Sequence, residues 1–243
     1  MEHEVVSREA WLVARKAHLE AEKALTRQRD TLLEQRRALP WVRVEKDYVF
    51  EGPDGPVTLS DLFAGRSQLF VQHFMLGSDW KEGCAGCSFQ ADHVDAARQH
   101  FEHADLSFAA VARAPYKAIA AFKRRMGWRF PWVSSFGSNF NFDYQVSFRP
   151  EELERKEAVY NYTTIDPGID ELPGQSVFYK DEQGTLYHTY SSYARGGEEL
   201  IGAFNFLDMV PKGRNEPDSI MQWVRHHDRY DDAAPAECHS AAE

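Results

Sequence analysis

The chain has 243 residues, 43% hydrophobic and 27% charged, the balance of a globular domain rather than a disordered, fibrous or disulfide-stapled one. Its net charge of -10 repels phosphate backbones and anionic lipid surfaces, which excludes general nucleic-acid and membrane partners from the reading. No run nears the ~18 apolar residues of a membrane span, and Met1-Glu2-His3-Glu4 has no basic-then-apolar leader pattern, so a cytoplasmic protein is expected.

Residues 7–39 read as one long helix, with Ser7 as N-cap and Pro40 as its stop. Trp11, Leu25, Leu32 and Leu39 fall on a seven-residue spacing, with Ala14 and Ala21 between them and His18 interrupting. So narrow a stripe suits a helix lying on a domain surface, or a dimer arm meeting a partner helix. Val42–Phe50 reads as a strand, Gly52–Pro56 as a turn, and Val57–Leu59 as a short return strand. Ser60–Phe63 looks like a helical turn, and Gln68–Met75 a buried strand.

After a loop to Gly83, a helix is expected from about Ala85 to His103, with Phe89, Val94, Ala97 and Phe101 as its apolar set. Leu106–Ala112 is a second buried strand, and Pro115 opens a helix that Gly127 stops. Trp128–Ser135 is extended, and Phe136–Tyr144 a loop. Residues 150–173 read as a short helix plus an irregular insertion. Gln175–Lys180 and Thr185–Ser191 form a hairpin around Asp181-Glu182-Gln183-Gly184. Glu198–Leu207 reads as a helix, a short one is expected at Ser219–Asp228, and the Ala- and acid-rich tail carries Cys238. Alternating strands and helices closed by a hairpin imply a mixed sheet flanked by helices.

Cys84 and Cys87 stand where the first buried strand hands over to a helix. A thiol at a helix start faces unsatisfied N–H groups and the positive end of the dipole, which favour thiolate. With a second cysteine three residues on, Cys84 can attack a disulfide and Cys87 can resolve the mixed disulfide. Gly83 and Gly86 leave room for a partner backbone. A metal site built with His93, His100 and His103 is the rival, but those side chains lie two to four turns along one straight helix. Asp79, Lys81 and Glu82 read as solvated loop residues, with Asp79 an alternative proton relay for Cys87. His73 reads as a core histidine, and Arg195 as one partner of a salt bridge or as an anion contact. Trp80, Trp128, Phe130, Trp132 and Tyr144 divide between core and groove.

The stretch QLFVQHFMLGSDWKEGCAGCSFQA (68–91) resembles the thioredoxin-like family catalogued as domain of unknown function 899. So do residues 113–144, 176–196, the Leu39-Pro40-Trp41 junction and the segment from Leu207-Asp208 to Gly213-Arg214, so that the resemblance covers about residues 8–230. It implies a thioredoxin-like fold and a predicted dithiol–disulfide oxidoreductase activity. Thioredoxins set a cis-proline before the hairpin strand, facing the sulfurs. The matching stretch here is Gly174-Gln175-Ser176-Val177, so Gln175 or Ser176 is expected there, Pro173 lying too early. Trp80 lies four residues before Cys84 instead of directly before it. Leu59–Arg66 and the FYKDEQGTLY hairpin look like peroxiredoxin. However, the positions where a peroxiredoxin carries Pro and then Thr or Ser before its reactive cysteine hold Gly77 and Lys81 here.

The expected organisation is a helical arm over residues 1–40, a thioredoxin-like α/β domain over 41–230 with a C-terminal extension, and a disordered tail over 231–243. The expected function is thiol–disulfide exchange by Cys84 and Cys87. The alternatives are a peroxiredoxin-like peroxide reductase, or a non-catalytic metal-binding or interaction module. Trp80, Gln175, Ser176, Trp128 and Arg195 are the expected groove residues. No organic cofactor or metal is required; a cellular thiol or reductase would supply electrons, and a homodimer is expected.

Overall fold

The computed structural model describes residues 3–231, so the tail with Cys238 lies outside the described residues. The chain divides after Pro40 into two units. The first is helix α1 (Arg8–Arg37), whose N-cap Ser7 accepts a hydrogen bond from the Ala10 N–H at 3.2 Å. Its 30 residues include none that is buried.

The second unit is an α/β thioredoxin-like arrangement. Its strands are β1 (Val42–Arg43), β2 (Val49–Gly52), β3 (Gly55–Thr58), β4 (Gln68–His73), β5 (Leu106–Ala112), β6 (Trp132–Ser134), β9 (Gly174–Lys180) and β10 (Leu186–Tyr193). They form one mixed sheet in the order β1-β10-β9-β4-β5-β6-β2-β3. The central pairs β4–β5 and β5–β6 are parallel, and the others are antiparallel. A parallel neighbour needs a crossover. Helices α2 (Ala85–Ala91) and α3 (Val94–His103) provide the first, and α4 (Tyr116–Arg125) the second.

Period-two alternation sends the sheet's side chains into two cores. Phe74, Phe108, Ala110, Ala112 and Trp132 meet the helices. Leu69, Val71, Ala109, Val111 and Phe178 meet Tyr48, Phe50, Leu59 and Phe63 on the other face.

The single helix expected from Ala85 to His103 is two helices that break at Asp92-His93. The His93 Nδ1–H donates to the Phe89 carbonyl at 2.8 Å, and Nε2 accepts from the Ala203 N–H at 3.0 Å, a partner 110 residues away. The strand expected over 42–50 is likewise two strands, β1 and β2, joined by a bend. The loop at 136–144 contains a helical turn, α5 (Phe140–Asp143). Within 150–173 lie α6 (Pro150–Arg155) and a separate hairpin of β7 (Ala158–Tyr160) and β8 (Thr163–Ile165). The helix at 198–207 is a 3-10 turn, Ala194–Leu200, followed by α7 (Gly202–Leu207). No helix fills 219–228; turns there lead to one 3-10 turn, His227–Arg229.

Candidate functional site

The loop after β4 brings the chain to the C-terminal edge of the parallel strands, where crossover folds leave their crevice. The Cys84 N–H donates to the Met75 carbonyl at 3.0 Å, which folds the loop back on its own strand. Cys84 then takes the N-cap position of α2, and Cys87 lies in the first turn. Cys84 is half-buried and Cys87 is buried. The Ser88 hydroxyl donates to the Cys84 carbonyl at 2.9 Å, and the Gln72 amide from β4 to the Cys87 carbonyl at 3.0 Å. The strand beneath thus holds the turn that carries both thiols.

Both cysteines line one cavity of about 110 Å³. Its apolar walls are Met75, Pro173, Ile201, Ile220 and Met221, and its polar groups are Gln90, Gln175, Arg195 and Glu198. Gln175 is 3% exposed, and its amide is engaged at both its nitrogen and its oxygen. Nε2 donates to Gln90 Oε1 at 3.2 Å, and Oε1 accepts from the Ser192 hydroxyl at 2.9 Å. A Cβ on Gly197 would fall 2.2 Å from that Nε2, so a glycine is required for Gln175 to lie there. Arg195 is held by Glu198 at 2.8 Å, as the salt-bridge alternative expected, and still lines the cavity.

The other expected groove residues stand elsewhere. Ser176 is on the opposite face of β9, the consequence of strand alternation, and bonds His73 Nε2 and the Ser191 hydroxyl, each at 2.8 Å. Trp128 packs in the aromatic core and donates to Asp92 at 2.7 Å. Trp80 is tied to Asp170 at 3.1 Å and does not line the cavity. Phe130 and Trp132 are buried in the same core, and Tyr144 stacks on His73 across the sheet. His73 is buried, and burial holds its pKa down to about 3, so it stays neutral. Asp79 and Lys81 are exposed. Glu82 is no solvated loop residue: it binds Arg229 at 2.7 Å and Arg125 at 3.1 Å, and these guanidiniums hold its pKa below the usual value. Gly83 faces the rings of Phe74 and Phe122 rather than open space, so its role is packing. Among the described residues no group of three His, Cys, Asp or Glu side chains could hold a metal ion.

Met75, Gln90, Pro173, Ile201, Ile220 and Met221 were not legible as site residues. Pro173, next to Gln175 in sequence, carried the nearest signal. The others arrive from distant segments, and Ile220 and Met221 come from the C-terminal extension. That extension is pinned around the cysteine loop. His226 donates from Nε2 to the Gly83 carbonyl at 2.8 Å, and its Nδ1 accepts from Arg125 at 3.0 Å. Asp228 binds Arg125 at 2.8 Å, and His227 meets Asp92 at 2.7 Å. Val224 is buried against Phe89, Ile201 and Phe204.

A family model described as "Bacterial protein of unknown function (DUF899)" matches residues 1–230. No curated protein matches the sequence. Among solved structures, the peroxidoxin BcpB from Mycobacterium tuberculosis is similar at 12% identity and a TM-score of 0.45, over 70% of this chain and 97% of that one. A peroxiredoxin Q from Xanthomonas campestris is similar at 14% identity and 0.46, over 68% of this chain and 95% of that one. A putative thiol:disulfide interchange protein DsbE from Chlorobium tepidum is similar at 15% identity and 0.40, over 68% and 97%. At these identities and overlaps the likenesses decide nothing about the reaction.

Proposed function

We propose that this chain, which belongs to the DUF899 family of bacterial proteins, is a dithiol reductase in which Cys84 attacks the weak bond of an oxidised substrate and Cys87 resolves the product. The observation that carries this reading is that both cysteines, one at the start of α2 and one in its first turn, line a single cavity. The N–H groups at a helix start favour the thiolate, which is the nucleophile.

With a disulfide RSSR, the Cys84 thiolate forms a mixed disulfide and expels RS⁻. Cys87 then loses its proton and attacks the Cys84 sulfur, expelling the second RS⁻. Two electrons reach the substrate, and the Cys84–Cys87 disulfide remains for a cellular thiol to reduce. With a hydroperoxide ROOH, the thiolate takes the terminal OH as a sulfenic acid and releases ROH after protonation. Cys87 condenses with that sulfenic acid and expels water.

The size of the cavity favours the peroxide as a second reading. A sulfenic acid adds one oxygen to Cys84, whereas a mixed disulfide must house half of the substrate beside Cys87. Among the described residues no serine or threonine lines the cavity, so the Gln90 amide NH₂, whose oxygen is engaged by Gln175, is the donor proposed for a substrate oxygen.

Alkylation and intact mass across a glutathione gradient test the dithiol. One two-electron step, lost in Cys84→Ser and in Cys87→Ser, is expected. Turnover retained in Cys84→Ser sinks the assignment. Cys87→Ser should stop at the mixed disulfide or the sulfenic acid, and the adduct mass tells which oxidant the site accepts.

A further inference from the structure

We infer that the thiol cavity admits small oxidants and excludes polypeptide disulfides, and that Met221 sets this limit; the inference rests on the dithiol reading above. A polypeptide substrate needs unpaired backbone groups beside the sulfurs to pair with. None is left at the start of β9. Gly174 pairs with His73 on one side and Tyr193 on the other, and Gln175 with Gln72 and Ser192. Just upstream, the Leu172 N–H donates to the Val146 carbonyl at 2.9 Å. Pro173 has no N–H, and its carbonyl accepts from the Tyr160 hydroxyl at 2.7 Å. The insertion has therefore taken the Leu172 N–H and the Pro173 carbonyl, two of the backbone groups that an extended peptide would use.

The C-terminal extension adds Ile220 and Met221 to the lining. Met221 has φ +59, a left-handed conformation that suits glycine and strains a methionine. Its N–H donates to Glu216 Oε1 at 2.7 Å, and its carbonyl accepts from the Val224 N–H at 2.9 Å, so the turn is held from both sides. Strain of this kind persists where the surroundings impose it, and it collects at functional sites. Here Met221, like Ala194 with φ +46, is a left-handed residue that lines the cavity holding the thiols. A cavity of about 110 Å³ suits a compact molecule such as a short dialkyl disulfide or alkyl hydroperoxide.

Two measurements on the full chain test this. The first follows turnover of bis(2-hydroxyethyl) disulfide, tert-butyl hydroperoxide and insulin with dithiothreitol as the electron donor. Cys84-dependent turnover of at least one small oxidant is expected, with insulin at least 100-fold slower. Insulin within tenfold of the small disulfide overturns the inference. The second labels the reduced protein with iodoacetamide or fluorescein-5-maleimide, reads Cys84 by peptide mass, and normalises each rate to that of glutathione.

The bulky reagent should lag at least tenfold in the wild type, and the lag should vanish in Met221→Gly, which the left-handed backbone accepts without strain. Equal normalised rates in the wild type, or a lag unchanged in Met221→Gly, overturn it. Labelling needs no turnover, so inert thiols in the first measurement would sink the reductase reading and leave the size limit standing on the second.

Discussion

Gly83 occupies the residue position where the active loop and the core are hardest to separate. A Cβ there would stand 2.6 Å from Phe74 Cε1 and 3.0 Å from Phe122 Cε1. Phe74 cannot retreat, because it is 1% exposed and wedged against Trp128 and Trp132. Gly83→Ala should therefore destabilise the protein by about 1–3 kcal/mol, the usual range for overpacking, as read from denaturant midpoints. It should also displace the carbonyl that receives His226, so bulky-reagent labelling of Cys84 should rise with it. The cysteine pair itself was legible in the sequence because its chemistry is local: two thiols in one turn after a strand. Between Gln175 and Ser176 the sequence leaves open which one faces the sulfurs, because alternation alone does not say which face of β9 meets them; the register with β4 sets Gln175 opposite Gln72, whose amide holds the Cys87 carbonyl.

At the scale of elements, Arg113 at the end of β5 ties the cysteine loop to the insertion. It binds Asp170 at 2.8 Å and also Glu171, while Asp170 accepts from Trp80 in the loop at 3.1 Å. Glu171 is 1% exposed, and burial pushes its pKa up to about 7 against the pull of Arg113. Arg113→Ala should cost roughly 2–4 kcal/mol, since a buried carboxyl loses its cation and can shed only part of the penalty by binding a proton. Trp80 fluorescence should report the loosened loop in the same titration.

The elements that the sequence made legible have strong local signatures, such as the short apolar run of β5, buried on both faces, and the Asp181–Gly184 turn between β9 and β10. The break between α2 and α3 has none, because no Gly or Pro lies there and the bond that fixes it comes from Ala203. The β7–β8 hairpin hid for another reason. Its turn residues, Asn161 and Tyr162, have φ of 48 and 63, and tyrosine is a poor indicator of a left-handed position.

At the scale of the molecule, the buried hydrophobic residues among the described residues all lie between Tyr48 and Val224. A chain of residues 41–243 should fold without α1, with a melting temperature within a few degrees of the parent, which calorimetry can read. Stability against pH follows from groups whose pKa differs between folded and unfolded chain. Burial holds His73, His188 and His226 below their ordinary value of 6.5, so the unfolded chain binds more protons. Their contribution is complete above 6.5 and is lost as pH falls toward the folded values, about 3 for His73. Glu171 works in the other direction. Its folded pKa is raised from 4.5 to about 7, so its contribution is complete below 4.5 and fades as pH climbs to 7. Glu171→Gln should thus gain stability relative to the parent as pH rises from about 4.5 to 7, in denaturation series at fixed ionic strength.

The pinning of the C-terminal extension around the cysteine loop also has a consequence in time. A ribosome delivers residues 220–229 after every strand and helix that carries the thiols. While the nascent chain is still being made, Cys84 therefore stands open to any oxidant or polypeptide nearby. Only when His226 reaches the Gly83 carbonyl and Ile220 and Met221 join the lining is the cavity complete, so the selectivity proposed above would be acquired at the end of synthesis rather than with the fold of the sheet.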